Sequence, residues 1–86
     1  MNTIEIYTKP QCPYCHRAKA LLDAKGLSYS EFDVSQDPDK LSEMLKRSQR
    51  RTVPQVFIGT HHIGGSDDLM EAAKNGLLSR LLSDAA

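Results

Sequence analysis

The sequence has no charge excess of either sign: 11 lysines and arginines are matched by 11 aspartates and glutamates. Sequence-independent nucleic-acid binding and attraction to an anionic membrane both need a clear basic surplus, so neither is expected. No uninterrupted apolar run is long enough to span a bilayer, and Met1 to Tyr7 lack the basic and apolar regions of a secretory leader. A cytoplasmic location is the expectation. Internal repeats and Gly/Pro/Ser-rich tracts are also missing, which leaves no linker or low-complexity segment to account for. Cysteine is scarce. A bridge between the two present, Cys12 and Cys15, closes a very small loop and stabilises a fold little, because the loop-closure term grows with loop length. A disulfide-stapled secreted miniprotein would carry more cysteines at wider spacing.

At 86 residues, 40% hydrophobic and 26% charged, the chain is expected to fold as one domain, residues 1–86, around one small core. That core accounts for the apolar residues, so a monomer is expected. Thr3 to Tyr7 alternates Ile4 and Ile6 with Glu5 and Tyr7, the period of a strand. From Pro13 to Lys25, Ala18, Leu21 and Leu22 fall at helical spacing, with Pro13 suited to an early position and Gly26 to the stop. Tyr29, Phe32 and Val34 mark a second strand, and Asp37-Pro38 starts a helix bearing Leu41, Met44 and Leu45 on one face. Val56-Phe57-Ile58 reads as a buried strand turning at Gly59-Thr60 into a short partner that ends at Ile63, with Gly64-Gly65 closing the hairpin. Ser66-Asp67-Asp68 opens a third helix through Leu69 and Ala73, and Leu77, Leu78, Leu81 and Leu82 make a last short one after Asn75-Gly76. Met44 and Met70 read as core filler.

A lone C-x-x-C beside a β-α-β pattern reads as redox-active. Thiol–disulfide exchange needs an attacking thiolate, a neighbouring thiol that resolves the mixed disulfide, and access for the incoming sulfur. Cys12 falls at or just before a helix N-terminus, where unpaired backbone N–H groups and the macrodipole favour negative charge, so it is the expected nucleophile. Cys15 lies three residues on, sharing a face with Ala18 and Leu22, and should point into the fold, shielded until Cys12 forms a mixed disulfide.

Taken together, the first strand, Lys9, Cys12-Pro13-Tyr14-Cys15, Thr52-Val53-Pro54 and Gly64-Gly65-Ser66-Asp67-Asp68 resemble a dithiol glutaredoxin of the short bacterial type over essentially the whole chain. The resemblance implies an α/β thioredoxin-like fold: a four-stranded mixed β-sheet flanked by three to four helices. It implies a glutathione-dependent thiol-disulfide oxidoreductase that reduces protein disulfides and glutathione mixed disulfides, with glutathione as co-substrate and no tightly bound cofactor or metal. Glutathionylated proteins and disulfide enzymes such as ribonucleotide reductase would be its protein partners. By the same resemblance Pro54 is a cis-proline facing the cysteines, Thr52 and Val53 line the groove and Tyr14 packs beside the sulfur. Lys9, with Arg50 or Arg51, would meet the glycyl carboxylate of glutathione. The backbone N–H groups of Ser66 and Asp67 would take the γ-glutamyl carboxylate, the Asp67 side chain would pair with the amine, and Gly65 would permit close approach. Some relatives carry a third cysteine where Ser66 stands, and this chain lacks it.

Other readings compete. Lys9, Arg50 and Arg51 could each be ordinary solvated side chains, Tyr14 a surface tyrosine and Pro54 a pre-strand proline. Cys15-His16 completes the C-x-x-C-H haem-attachment pattern, but the strand-to-helix context speaks against it. His16, His61 and His62 could join the thiols around a metal, although adjacent His61-His62 does not fit zinc-site spacing. An iron-sulfur cluster shared between two chains is the alternative binding-module reading, and a client of thioredoxin reductase the alternative redox one.

Overall fold

The structure, a computed structural model, describes residues 3–83. The elements run β1 (Ile4–Thr8), α1 (Pro13–Ala24), β2 (Ser30–Asp33), α2 (Pro38–Ser48), β3 (Gln55–Ile58), β4 (His61–Gly64), α3 (Ser66–Lys74) and α4 (Leu77–Ser83). The sheet order is β2-β1-β3-β4, with β1 parallel to β2 and antiparallel to β3, and β3 antiparallel to β4. This is the mixed four-stranded sheet expected, with four helices around it. Boundaries differ by a residue or two. β1 runs on to Thr8 because Thr8 pairs with Asp33, and β2 spans Ser30–Asp33, the residues in parallel register with Glu5 to Thr8. β4 includes Gly64, paired with Val56.

Alternation along the central strands divides the core into two layers. Ile4 and Ile6 of β1 and Val56 and Ile58 of β3 point to one face, where Ala18 and Leu22 of α1, Leu69 and Ala72 of α3 and Leu78 of α4 cover them. Tyr7 and Phe57 point to the other, against Val34 and Met44 of α2's side. Burial on both faces explains why all four β3 residues are buried. Tyr7 was the polar-looking member of the β1 alternation, yet it is fully buried. Its ring packs 5.3 Å from that of Phe32 and 5.7 Å from that of Phe57, while Met70, read as core filler, is only half-buried.

A polar cluster fixes α2 to this second layer. Arg47 donates to Tyr7 Oη at 2.7 Å, to Glu5 Oε1 at 2.9 Å and to the Gly59 carbonyl at 3.2 Å, and its guanidinium lies 3.9 Å from the Phe57 ring centre. Tyr7 Oη donates to Glu43. The α2 start is equally specified: Asp37 Oδ1 accepts the N–H groups of Asp39 and Lys40 at 3.1 and 3.2 Å, and Pro38 occupies the first turn, where its missing N–H costs nothing.

Two outcomes follow for stability. Arg47→Ala removes charge-assisted hydrogen bonds from buried and half-buried acceptors and should lower the urea unfolding free energy by about 2 kcal/mol. Burial, then the Glu43 hydrogen bond, pushes the Tyr7 phenol up to about 12. The folded state therefore holds this proton more tightly than the unfolded chain, and the stability it contributes is present below about pH 10 and lost as pH rises toward 12. Tyr7→Phe should make the decline of the urea midpoint over that interval shallower, the remaining slope coming from groups such as Cys15.

Candidate functional site

The chain leaves β1 at Thr8, crosses Lys9-Pro10-Gln11 and enters α1 with Cys12 as the N-terminal cap. Cys12 has extended backbone angles, φ −131° and ψ 102°, which turn its side chain back over the first helical turn. Its Sγ accepts the Cys15 backbone N–H at 3.1 Å, satisfying a donor that a helix start otherwise leaves orphaned. Pro13 follows in the first turn, with no N–H to satisfy. One turn on, Cys15 has no exposed surface, while Cys12 keeps 8% of its own. Both thiols are free. Burial, and next the hydrogen bond with Cys12, pushes the Cys15 thiol up to about 12.

Opposite the pair, the Val53-Pro54 peptide is cis, and the Val53 carbonyl accepts from Cys12 Sγ at 3.7 Å. The Cys12 sulfur thus stands between its own helix N-terminus and the Val53 backbone. A groove of about 190 Å³ opens beside it, walled by Tyr14 of α1, Thr52, Val53 and Pro54 ahead of β3, and the start of α3 from Gly65 to Asp68. Seven of the eight residues expected at a glutathione site line this groove. The eighth, Lys9, is exposed and does not line it. Tyr14 is the most exposed large apolar side chain among the described residues, with the Arg17 guanidinium 5.6 Å from its ring centre.

The wall at α3 has an unusual cap. Gly65 supplies no side chain, so the N–H groups of the first turn have no capping acceptor from it. The Oδ2 atom of Asp68 instead reaches back to the Gly65 N–H at 2.9 Å and pairs with Arg50 at 3.1 Å. The Gly65 N–H and then Arg50 hold the Asp68 carboxyl below its ordinary value. The two aspartates are thereby divided: Asp68 caps the helix, and Asp67 is left exposed at the groove. Ser66 Oγ, buried at the same spot, has no hydrogen-bond partner among the described residues. A buried hydroxyl without a partner costs free energy unless something occupies the site. Arg51 is exposed.

Three residues escaped the sequence reading. Gly64 has φ +121°, and a Cβ there would meet Asp68 Oδ2 at 2.3 Å; Gly65, with φ −85°, would place its Cβ 3.6 Å from the Pro54 carbonyl, an ordinary contact. The steric demand for glycine inside the protein therefore falls on Gly64. Asp68 was legible only as a helix-start acid. Gln55 is fully buried behind the groove, its Nε2 donating to the Thr52 carbonyl at 3.0 Å and to Thr52 Oγ1 at 3.2 Å, and its Oε1 accepting from His62 Nε2 at 2.7 Å. A lone glutamine after proline carries no pattern that distinguishes this role from a solvated one.

Two of the three histidines are occupied elsewhere: His16 Nε2 donates to the Pro10 carbonyl at 2.9 Å, and His62 stacks on Phe57 at 4.7 Å. Among the described residues, no three His, Cys, Asp or Glu side chains are grouped so as to hold a metal ion. No helix among them is long and apolar enough to cross a membrane.

With this geometry in place, the likeness to known proteins is extensive. The glutaredoxin family model matches residues 4–63. Glutaredoxin 3 of Escherichia coli K12 is 55% identical over 82 residues, spanning 95% of this chain and 99% of that one. Glutaredoxin 1 of Rickettsia bellii is 49% identical over 86 residues, spanning 95% of this chain and 88% of the relative. The solution structure of a Brucella melitensis glutaredoxin superposes with a TM-score of 0.81 at 51% identity, over 95% of this chain and 89% of that one. The crystal structure of a buckwheat glutaredoxin–glutathione complex does so at 0.85 and 37% identity, over 96% and 78%. A redox-suited cysteine pair, a matching fold and near full-length identity to proteins of one kind lead to one conclusion: this chain belongs to the glutaredoxin family.

Proposed function

We propose that Cys12 is the attacking thiol and Cys15 the resolving thiol of this glutaredoxin, a glutathione-dependent thiol-disulfide oxidoreductase acting through a dithiol. The observation that carries the assignment is the Cys15 N–H aimed at Cys12 Sγ while Cys15 itself is sealed in the core. Only Cys12 has a surface an incoming sulfur can reach, and the N–H that caps it remains bonded when the sulfur carries charge. In the first step Cys12 attacks a disulfide, forming a mixed disulfide and releasing one thiol. Either Cys15 or glutathione then attacks that bond, and glutathione returns the enzyme to the dithiol.

Glutathione occupies the groove in this reading. Its γ-glutamyl carboxylate faces the first turn of α3, where Gly65 supplies no side-chain acceptor and the Ser66 and Asp67 N–H groups and the partnerless Ser66 hydroxyl can donate to an anion. The Asp67 carboxylate pairs with the ligand amine, and Thr52-Val53 offers backbone to its peptide in the manner of an added strand. Gly65 leaves room for the ligand backbone, and Tyr14 packs beside the sulfur. Lys9, lying outside the groove, meets the glycyl carboxylate only at the rim, where Arg51 is an alternative and Arg50 is engaged by Asp68. The glutathione complex of the buckwheat relative supports this placement of the ligand class. Glutathionylated proteins and disulfide enzymes such as ribonucleotide reductase are the proposed protein substrates, turned over by a cytoplasmic monomer.

A glutathione-reductase-coupled assay on a small glutathione mixed disulfide should lose activity with Cys12→Ser and keep it with Cys15→Ser, while reduction of a protein disulfide should need both cysteines. Loss of the small-substrate activity in Cys15→Ser would overturn the division of labour. Separately, brief iodoacetamide treatment of the reduced protein at pH 7 should give one adduct by mass spectrometry, on Cys12, because Cys15 is enclosed and its thiol is held near 12.

A further inference from the structure

Resolution asks a sealed thiol to do what its surroundings oppose. Cys15 must lose a proton before it attacks, and burial and the Cys12 sulfur both favour the protonated form. The groups that face it come from three elements. On its own helix stand Cys12 and, one turn further on at i+4, Lys19. From the loop after β1 comes the Lys9 backbone N–H, and from β2 comes Glu31 by way of Lys19. Asp33 adds its charge beside Glu31, and Tyr29 its hydroxyl beside Lys19.

Lys19 is not a freely solvated lysine. Its Nζ donates to Glu31 Oε2 at 2.9 Å, and the same carboxylate oxygen accepts the buried Thr8 hydroxyl at 2.7 Å. Lys19 is half-buried, so this chain from β1 through β2 to α1 fixes a cation on the helix that carries the resolving thiol, a turn below it. We propose that Lys19, held by Glu31 and Thr8, is a positioning residue for the resolving half-reaction, stabilising negative charge on Cys15 as it attacks the mixed disulfide. Against burial, the Lys9 backbone N–H and then Lys19 lower the Cys15 thiol. In that step the Cys15 S–H bond is lost and a Cys15–Cys12 sulfur–sulfur bond forms. The bond from Cys12 to the glutathione sulfur breaks, and glutathione leaves with the electron pair and takes up one proton. No outside oxidant or reductant enters. Attack by Cys12 in the first step makes no use of Lys19.

The inference rests on Cys15 being the resolving thiol. Loss of the cation lowers the thiolate fraction of Cys15, and the stronger nucleophilicity of the more basic sulfur returns about half of that loss on a logarithmic scale, so a tenfold loss of thiolate leaves resolution roughly threefold slower. The test mixes reduced protein with a glutathionylated peptide, quenches in acid and follows by mass spectrometry first the glutathione adduct on Cys12 and then its conversion to the internal disulfide. Lys19→Met and Lys19→Gln, two uncharged variants of different polarity, should both slow the second phase about threefold relative to the first, and Lys19→Arg should restore it. Equal second-phase rates in wild type and the uncharged variants would overturn the proposal. So would equal slowing of both phases, or an arginine variant as slow as methionine, since either makes the contact merely structural. If the wild-type adduct never converts, the resolving role of Cys15 falls instead, an outcome read before any variant is compared.

Discussion

One hydrogen bond organises the active end of this molecule: the Cys15 N–H to Cys12 Sγ at 3.1 Å. It makes a sulfur do the work usually given to serine or aspartate at a helix start. The same bond that begins α1 fixes how the two thiols face one another. Because α1 must bury Ala18 and Leu22 against the sheet, Cys15, on their face, is carried into the core, while the cap residue stays at the rim. Reactivity and shielding are thus assigned by helix phase before any substrate is present.

The second half of the site depends on the sheet. Antiparallel pairing of β1 with β3 brings the segment before β3 alongside the segment after β1, which is how Val53 comes within 3.7 Å of Cys12 although 41 residues separate them. The hairpin of β3 and β4 then delivers the start of α3 to the same place, with a single residue, Gly65, between strand and helix. On the far layer, Arg47 ties α2 to Tyr7 and Glu5, holding β1 from behind. The groove is the meeting point of three chain segments whose spacing is set by backbone pairing.

Much of this was legible in the sequence. Period-two alternation at Ile4, Ile6, Val56 and Ile58 and the helical spacing of Ala18 and Leu22 marked one core layer, and C-x-x-C at a strand-to-helix junction marked the chemistry. The other layer was less visible, because Tyr7 and Glu5 look like a solvent-facing pair until α2 and Arg47 cover them. Gly64, Asp68 and Gln55 were hidden for a related reason. Their roles arise from contacts across the chain, and neither a lone glutamine nor the first of two glycines announces which backbone it will stand against. Lys9, which the resemblance assigns to the glycyl carboxylate, is exposed and does not line the groove, since proximity in sequence to Cys12 does not fix the direction in which a loop residue faces.

Gly64 shows how far such a contact reaches. Its φ of +121° puts the missing Cβ within 2.3 Å of the Asp68 carboxylate, the group that both closes the cap of α3 and neutralises Arg50. A single added methyl at this position therefore acts on charge as well as on space. Displacing Asp68 uncovers a guanidinium at the edge of the groove and leaves the Gly65 N–H without its acceptor, so the electrostatic character of this wall is held constant by the absence of one carbon atom.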